Sequence, residues 1–288
     1  MAENIKGTLL ITGASTGIGR ACALHFDKKG YRVFAGIRKE ADAENLKKEA
    51  SDKLTPVMID VTDYESVSKA AEVVGDAVGE SGLNGLVNNA GIAVSGPLEF
   101  LPIKRFEEQF KVNVFGTLAV TQAFLPLLRK AKGRIVNISS ESGRFALPFV
   151  GPYAASKHAV EALSDSLRVE LIPSGIKLVL IEPGSIKTPI WEKTGEDTRT
   201  LLDEIPEHGR EIYKKELGSA VKSVETATKN AIPVERVVKV VDRALTASRP
   251  KLRYTVGFEA ILLVYILRSL PRKLVDRVLS FGIRNMGG

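Results

Sequence analysis

The sequence has little of several residue types that mark particular classes of protein. Cys22 is the only cysteine among 288 residues, which excludes an intrachain disulfide and favours a reducing compartment. Its apolar helical surroundings are typical of a small buried side chain rather than a nucleophile. Internal repeats and long polar, Pro-rich or Gly/Ser-rich linkers are also missing from the sequence. We therefore predict a single domain over residues 1–288.

Long hydrophobic runs are absent as well. The longest later one, residues 260–267, is too short to span a bilayer, and the polar residues 1–6 lack the pattern of a signal peptide. The formal net charge of +7 is mildly basic, but the basic residues are scattered rather than grouped with aromatic residues. We expect a cytoplasmic protein with no nucleic-acid partner and no metal site. A basic surface is also compatible with an anionic cofactor or a membrane surface.

A tyrosine and a lysine four positions apart are the strongest chemical signal present. Tyr153 and Lys157 share one face if the segment is helical. A tyrosine with an ordinary pKa of about 10 is a poor acid or base, and a nearby positive charge lowers that pKa. The hydroxyl of Ser140 could then orient a substrate oxygen. Such a pair also occurs by chance, so the catalytic interpretation needs further support.

That support comes from the start of the chain. Residues 7–11 form a short apolar run, followed by a glycine-rich turn and an apolar-periodic segment. Glycines allow positive φ and close approach to a phosphate, while a helix N-terminus offers free N–H groups. A strand, a glycine-rich turn and a helix in this order form the context of a dinucleotide-binding site.

The second predicted strand, residues 31–37, ends where a ribose-binding carboxylate is often found. Here Ile37 and Arg38 are followed by Lys39, so no carboxylate repels a 2′-phosphate. This sequence favours NADP over NAD. The alternative is a solvated basic turn.

Further strands are predicted at 56–59, 83–87, 133–138 and 177–181, with helices between them. Alternation of this kind predicts an α/β fold, a doubly wound parallel sheet with ligands beyond the carboxyl ends of its strands. A long helix is predicted at 106–128. Asn113 inside it is either a surface residue or a residue that opens the helical hydrogen-bond ladder to water.

The last third of the chain changes in character. Residues 190–230 are predicted to form a helical flap over the substrate, or else a surface excursion. Another helix (234–245) and a short strand (253–256) follow. The tail, 258–288, mixes aliphatic and basic residues. It could pack on the domain, form a subunit contact or lie on a membrane, and the first two are favoured.

Taken together, TGASTGIG (12–19), NNAG (88–91), YAASK (153–157) and PGSIKT (183–188) resemble the short-chain dehydrogenase/reductase family. The resemblance implies a Rossmann-type sheet, a nicotinamide cofactor and hydride exchange with a secondary alcohol or ketone. It further implies that Tyr153 is the acid/base and that Lys157 lowers the tyrosine pKa and holds the nicotinamide ribose. By the same resemblance, Ser140 positions the substrate oxygen, and Asn113 holds a water in a proton relay. The cofactor residues implied, with Arg38 from the argument above, are Gly13, Ser15, Thr16, Gly17, Ile18, Gly19, Arg38, Asp60, Val61, Asn89, Ala90, Gly91, Tyr153, Lys157, Pro183, Gly184, Ile186 and Thr188.

The segment YRVFAGIR and the C-terminal third look similar to the hydroxysteroid and retinol dehydrogenase branch, which implies an apolar substrate. The family also implies a homodimer or homotetramer. A protein that binds the cofactor without turnover, as a scaffold or sensor, is the alternative; it would not need the acid/base residues.

Overall fold

The computed structural model describes residues 5–190, 204–213, 229, 231–267 and 269–285. Strands and helices alternate along most of this length. The strands are β1 (Thr8–Ile11), β2 (Arg32–Ile37), β3 (Leu54–Met58), β4 (Gly85–Asn88), β5 (Arg134–Ile138), β6 (Lys177–Pro183) and β7 (Arg253–Val256). The helices are α1 (Gly17–Lys28), α2 (Glu40–Lys47), α3 (Tyr64–Val78), α4 (Ile103–Phe110), α5 (Thr117–Ala131), α6 (Gly151–Glu170), α7 (Glu207–Ile212), α8 (Val234–Thr246), α9 (Phe258–Leu262) and α10 (Arg272–Asn285).

All seven strands form one parallel sheet in the order β3-β2-β1-β4-β5-β6-β7. The order reverses direction after β3, so that crossovers place helices on both faces. Pro56 lies in β3, an edge strand, where a missing backbone N–H is tolerated. The predicted doubly wound α/β fold is confirmed.

The side chains of alternate residues in the central strands pack into two separate hydrophobic cores. Leu9 and Ile11 of β1 pack in the core under α1 and α8, while Leu10 between them packs in the core under α3 and α5. All three side chains are buried. Near-continuous apolar strands result because both faces are covered.

The helix predicted at 106–128 extends over Ile103–Ala131 in the structure, and it is not a regular α-helix throughout. α4 runs into a π-helical segment, Lys111–Gly116, and then into α5. By length and composition alone, Ile103–Ala131 could cross a membrane. Phe124 and Leu128 are nevertheless fully buried in the core beneath the sheet, as expected for a core helix of a folded domain.

The predicted C-terminal tail begins as α9, a π-helical turn (Leu263–Leu267) and α10. Ala260, Val264 and Val275 are buried. Phe258 and Phe281 are largely exposed. The described part of the tail thus packs against the rest of the chain through Ala260, Val264 and Val275. Of the predicted flap, residues 191–203, 214–228 and 230 lie outside the described residues, Trp191 among them.

Candidate active site

The glycine-rich turn connects β1 to α1 at the carboxyl edge of the sheet. Gly13 and Gly17 have positive φ angles of 63° and 57°, which suit glycine. Thr16 is the N-cap of α1, and its side chain makes no capping hydrogen bond. The first N–H groups of α1 are therefore left for another acceptor, and such groups favour an anion.

Gly19 plays a different part in this turn. It does not line the cleft described below, and a Cβ there would clash with the Gly13 carbonyl oxygen and the Asn89 side-chain amide. That amide donates to the carbonyl oxygens of Thr12 (3.0 Å) and Gly13 (3.1 Å). Gly19 therefore lets α1 and the loop after β4 pack closely against the turn.

A cleft of about 1270 Å³, counting the open space at its mouth, runs along the ends of the strands. The predicted residues on its wall are Gly13, Ser15, Thr16, Gly17, Ile18, Arg38, Asp60, Val61, Asn89, Ala90, Gly91, Ser140, Tyr153, Lys157, Pro183, Gly184, Ile186 and Thr188. Gly19 and Asn113 are the two predicted residues that do not line it.

Tyr153 and Lys157 lie in the first two turns of α6, which begins at Gly151. The ammonium group of Lys157 donates to the Ile138 carbonyl oxygen at 2.8 Å and lies 5.7 Å from the centroid of the Tyr153 ring. The Ser140 hydroxyl interacts with Tyr153 and accepts a hydrogen bond from Ser142 N at 3.1 Å. The three side chains predicted from spacing meet in one place.

The electrostatics of the pair differ from the expectation. Burial raises the pKa of Tyr153 to about 12, although its hydrogen bond with Ser140 acts in the opposite direction. Burial also lowers the pKa of Lys157 to about 8, and the charge of Glu161 opposes that change. The net pKa of Tyr153 is thus raised in this structure, with burial as the main cause, and a lowering by Lys157 stays a prediction.

Asn113 lies in the π-helical segment and is 1 % exposed, so the surface alternative is wrong. Its side-chain amide donates to the Ile92 carbonyl oxygen (3.0 Å) and the Ser156 hydroxyl (3.2 Å), and accepts from Ile92 N (2.9 Å). Gln109 makes a parallel set of bonds to Ile92, Val94 and Ser156. The visible role of Asn113 is to fix the loop after β4 against α6.

At the β2 end of the cleft, Ile37 is buried and Arg38 is exposed. Asp60 accepts from the backbone N–H (2.9 Å) and hydroxyl (2.7 Å) of Thr62. Partial burial acts to raise the pKa of Asp60, but the Thr62 bonds and the charges of Arg38 and Lys111 outweigh it and lower the pKa. Arg38 makes no hydrogen bond or ion pair with any described residue at contact distance.

The opposite end of the cleft is built from the segment after β6. Thr188 lies beside Gly17, since a Cβ at Gly17 would be 3.3 Å from the Thr188 side chain. Behind the wall, a Cβ at Gly184 would lie 2.9 Å from the Cβ of Ala260 in α9. The start of α1 and α9 thus both pack against this part of the cleft.

An aromatic cluster covers the loops beside Tyr153. Phe100 packs edge-on against His208 of α7 (5.3 Å between ring centroids), and Phe149 packs edge-on against Tyr213 (6.1 Å). Phe149 has a positive φ of 67°, a strained conformation for a bulky residue. The described part of the predicted flap therefore contacts the loops after β4 and β5.

Sequence reasoning missed several parts of the site. Ser139, Ile92 and Val112 also line the cleft, and Gln109 and Ser156 support Asn113 from behind. The polar spacing Gln109–Asn113, four residues apart like Tyr153–Lys157, was the available signal.

The family model described as short chain dehydrogenase matches residues 7–199, more than half of the chain. The chain belongs to the short-chain dehydrogenase/reductase family. It is an oxidoreductase of that family, whose fold binds NAD or NADP, and the predicted family membership is confirmed.

Three curated relatives are similar over nearly their whole length. The NADPH-dependent 3-dehydrocapnine reductase of Ornithobacterium rhinotracheale is 39% identical over 274 residues, 93% of this chain and 94% of that protein. Retinol dehydrogenase 16 of Mus musculus is 42% identical, and 17-beta-hydroxysteroid dehydrogenase type 6 of Bos taurus is 39% identical; each alignment covers 94% of this chain and 87% of the relative. The resemblance to the hydroxysteroid and retinol dehydrogenase branch is confirmed.

Among solved structures, a short chain dehydrogenase from Burkholderia cenocepacia J2315 in complex with NADP superposes with a TM-score of 0.74. It is 26% identical, and the match covers 96% of this chain and 98% of that one.

Proposed function

We propose that this enzyme exchanges a hydride between NADP and a secondary alcohol or ketone with an apolar body. The observation that carries the proposal is the meeting of Tyr153, Lys157 and Ser140 in the same cleft as the glycine-rich turn. A protein that only binds the cofactor would need the turn but not a buried acid/base beside it. The reduced nicotinamide supplies the hydride, and the protein supplies orientation and a proton.

In the direction of reduction, hydride adds to the carbonyl carbon and the carbonyl oxygen becomes an alkoxide. Tyr153 donates its phenolic proton to that oxygen, while the Ser140 hydroxyl holds the oxygen in place by a hydrogen bond. Lys157 would hold the ribose next to the nicotinamide. Its positive charge would balance the negative charge of the Tyr153 phenolate. Oxidation of the alcohol is the same sequence in reverse.

The cradle at the sheet edge fits the cofactor. The uncapped N-terminus of α1 and the positive-φ glycines 13 and 17 suit a pyrophosphate. Asp60, Val61 and residues 89–91 would meet the adenine and its ribose, and residues 183–188 would meet the nicotinamide. Gly19 and Asn113 would act through the turn and the loop that they hold, since neither lines the cleft.

NADP is favoured over NAD because of the end of β2. Ile37 cannot accept hydrogen bonds from a ribose, whereas Arg38 presents a planar cation toward the cleft. The name of the bacterial reductase, which includes NADPH, supports the same choice.

An apolar substrate is favoured by the surroundings of Tyr153. Ile92 and Ile190 line the cleft, and Phe149 contacts Tyr213 in the described part of the predicted flap. The relatives named for retinol and a hydroxysteroid agree with such a substrate.

We also propose that the enzyme is cytoplasmic and forms a homodimer or homotetramer through α5 and α6.

The test is a cofactor-coupled absorbance screen of the full chain across steroids, retinoids, acyl ketones and sugars. We expect turnover with an apolar ketone or secondary alcohol, and a loss of about 10²–10⁴-fold in Tyr153→Phe with cofactor binding retained. Tyr64→Phe, an exposed tyrosine on α3, is the matched control and should be fully active. Cofactor binding without turnover of any class would favour the scaffold alternative.

A further inference from the structure

The catalytic face of α6 continues beyond Lys157. Tyr153, Lys157, Glu161 and Asp165 recur at intervals of four residues, so they lie along one stripe of the helix. The first three are buried, and Asp165 reaches the surface with a side chain 45 % exposed. A row of ionisable side chains on a buried helix face is costly unless each has a partner.

Arg253 of β7 forms ion pairs with the last two residues of this stripe, Glu161 and Asp165. Its Nε lies 3.0 Å from Glu161 Oε2, and its terminal nitrogen lies 2.6 Å from Asp165 Oδ1. The Glu161 side chain is only 8 % exposed. This ion pair joins residues 92 positions apart and favours the ionised form of the Glu161 carboxyl.

The other charged and polar groups around Glu161 come from three elements. Glu182 of β6 lies 3.4 Å from Arg253 Nε and 3.0 Å from Arg144, and it accepts from the Thr255 hydroxyl at 2.8 Å. The Ser139 hydroxyl at the end of β5 faces Glu161 without reaching hydrogen-bond geometry. Glu141, in the turn after β5, acts on Tyr153.

The turn after β5 also packs against Glu161 and against the backbone of α6 at Lys157. A Cβ at Gly143 would lie 3.0 Å from Glu161 Cγ, 2.8 Å from Ser139 Oγ and 3.1 Å from the Lys157 carbonyl oxygen. Glu161 thus has little freedom to move away from the helix. Arg253 fixes it from one side and the turn from the other.

We propose that Glu161 is a positioning residue whose carboxylate, held by Arg253, keeps Lys157 protonated and so sets the upper pH at which the enzyme works. The inference extends the proposed function, on which its meaning for catalysis rests.

The direction of the electrostatics agrees with this role. Burial alone lowers the pKa of Lys157, and among the described residues Glu161 is the one whose charge opposes it. Burial raises the pKa of Glu161 itself, and Glu182 adds to that rise, while Arg253 acts against both. Removing Glu161 would take away the side-chain charge that opposes the effect of burial on the pKa of Lys157.

The decisive measurement is the titration of Lys157 by NMR in the full chain labelled with ¹³Cε-lysine, its resonance assigned by Lys157→Arg. In Glu161→Gln we expect Lys157 to lose about tenfold or more in proton affinity, the effect expected of one nearby opposite charge. Asp165→Asn is the matched control: it makes the same chemical change one helical turn further on, at another partner of Arg253, and should leave the titration in place.

Two further variants guard against a folding defect. Arg253 keeps Asp165 and Glu182 as partners when Glu161 is removed, so Glu161→Gln should fold. Glu161→Met, apolar and similar in length, should give the same shift, and Glu161→Asp should largely retain the wild-type titration. An unchanged Lys157 titration in Glu161→Gln or Glu161→Met, or an equal shift in Asp165→Asn, overturns the proposal.

The titration needs no substrate, so it can fail independently of the proposed function. With a substrate in hand, the upper limb of the pH profile for reduction should move to lower pH in Glu161→Gln and stay in place in Asp165→Asn. An enzyme that turns over nothing would defeat the proposed function, while the titration would still decide the role of Glu161.

Discussion

Single residues in this site are governed by burial as much as by their neighbours. Tyr153 and Lys157 are both 8 % exposed, and desolvation is the main cause of both pKa changes. Tyr153 is thereby kept as a proton donor, whereas Lys157 is brought close to losing its charge in the physiological range. The two residues respond to the same surroundings in opposite senses because one is neutral and the other is cationic when protonated.

A pH profile follows from these two values. In the proposed mechanism, reduction requires protonated Tyr153, which persists to about pH 12, and charged Lys157, which is lost above about pH 8. We expect kcat/KM for ketone reduction to be level below about pH 8 and to decline above it, as Lys157 deprotonates. Steady-state rates measured across this range with the confirmed substrate test the point; a level profile through pH 10 would contradict it.

We expect one side chain, Arg38, to decide the choice of cofactor. Arg38→Asp replaces the cation at the end of β2 with a carboxylate that repels a 2′-phosphate and accepts bonds from a ribose. A charge-assisted contact contributes about 1.5–3 kcal/mol, so we expect NADP affinity to fall by about ten- to a hundredfold and NAD to be preferred.

Dissociation constants for both cofactors at matched ionic strength measure this change. Lys48→Asp, the same charge change at the exposed end of α2, is the control and should leave the preference intact. Equal binding of NAD and NADP by the wild type would identify Arg38 as a solvated turn residue.

At the scale of elements, the π-helical segment Lys111–Gly116 is the feature that shapes the site from behind. It packs against Val61, since a Cβ at Gly116 would lie 2.7 Å from Val61 Cγ2 and 2.9 Å from its carbonyl oxygen. Val61 lines the cleft. Close approach of this segment therefore places the end of β3 relative to the cofactor site.

Alanine substitutions at two glycines distinguish the effect of packing on stability from the effect of replacing a helical glycine. Gly116→Ala should lower the free energy of unfolding by about 1–3 kcal/mol, because the methyl group overpacks Val61. Gly75→Ala, in the middle of α3 with the nearest heavy atom 3.8 Å from its Cβ, should raise it by about 0.4–1 kcal/mol. Urea unfolding of both variants and the wild type measures the pair, and a stabilised Gly116→Ala would contradict the packing argument.

The sequence allowed the strands, the glycine-rich turn and the Tyr153–Lys157 face to be predicted because each depends on local periodicity. β7 has the predicted bounds, and β5 differs by one residue. The π-helical segment was missed because its apolar pattern is also compatible with a regular helix. The pairing of Glu161 with Arg253 was missed because nothing local relates residues so far apart along the chain.

On the scale of the whole molecule, apolar side chains remain exposed on the helices predicted to form subunit contacts. Phe115 is 52% exposed, Leu163 38% and Val169 58%. Exposed apolar side chains on adjoining elements are typical of protein–protein contact surfaces, although isolated ones are common on any surface. Leu163 and Thr117 also line a shallow cavity between α5 and α6.

Light scattering at micromolar concentration tests the predicted oligomer. We expect a dimer or tetramer for the wild type, and dissociation in the double variant Phe115→Glu with Leu163→Glu, because burying two carboxylates in a contact is unfavourable. Val73→Glu, at a position 55% exposed on α3, should keep the wild-type state. A monomeric wild type would count against the prediction.

The contact between Gly184 and Ala260 makes the cleft wall depend on a residue much further along the chain. Gly184 forms part of the cleft wall, and the methyl group of Ala260 supports it from behind. A ribosome making this protein must therefore translate the chain beyond Ala260 before the wall has its support. Even the edge strand beside β6 is contributed by residues 253–256. A nascent chain can fold its glycine-rich turn early, but the finished site exists only after α9 has left the ribosome.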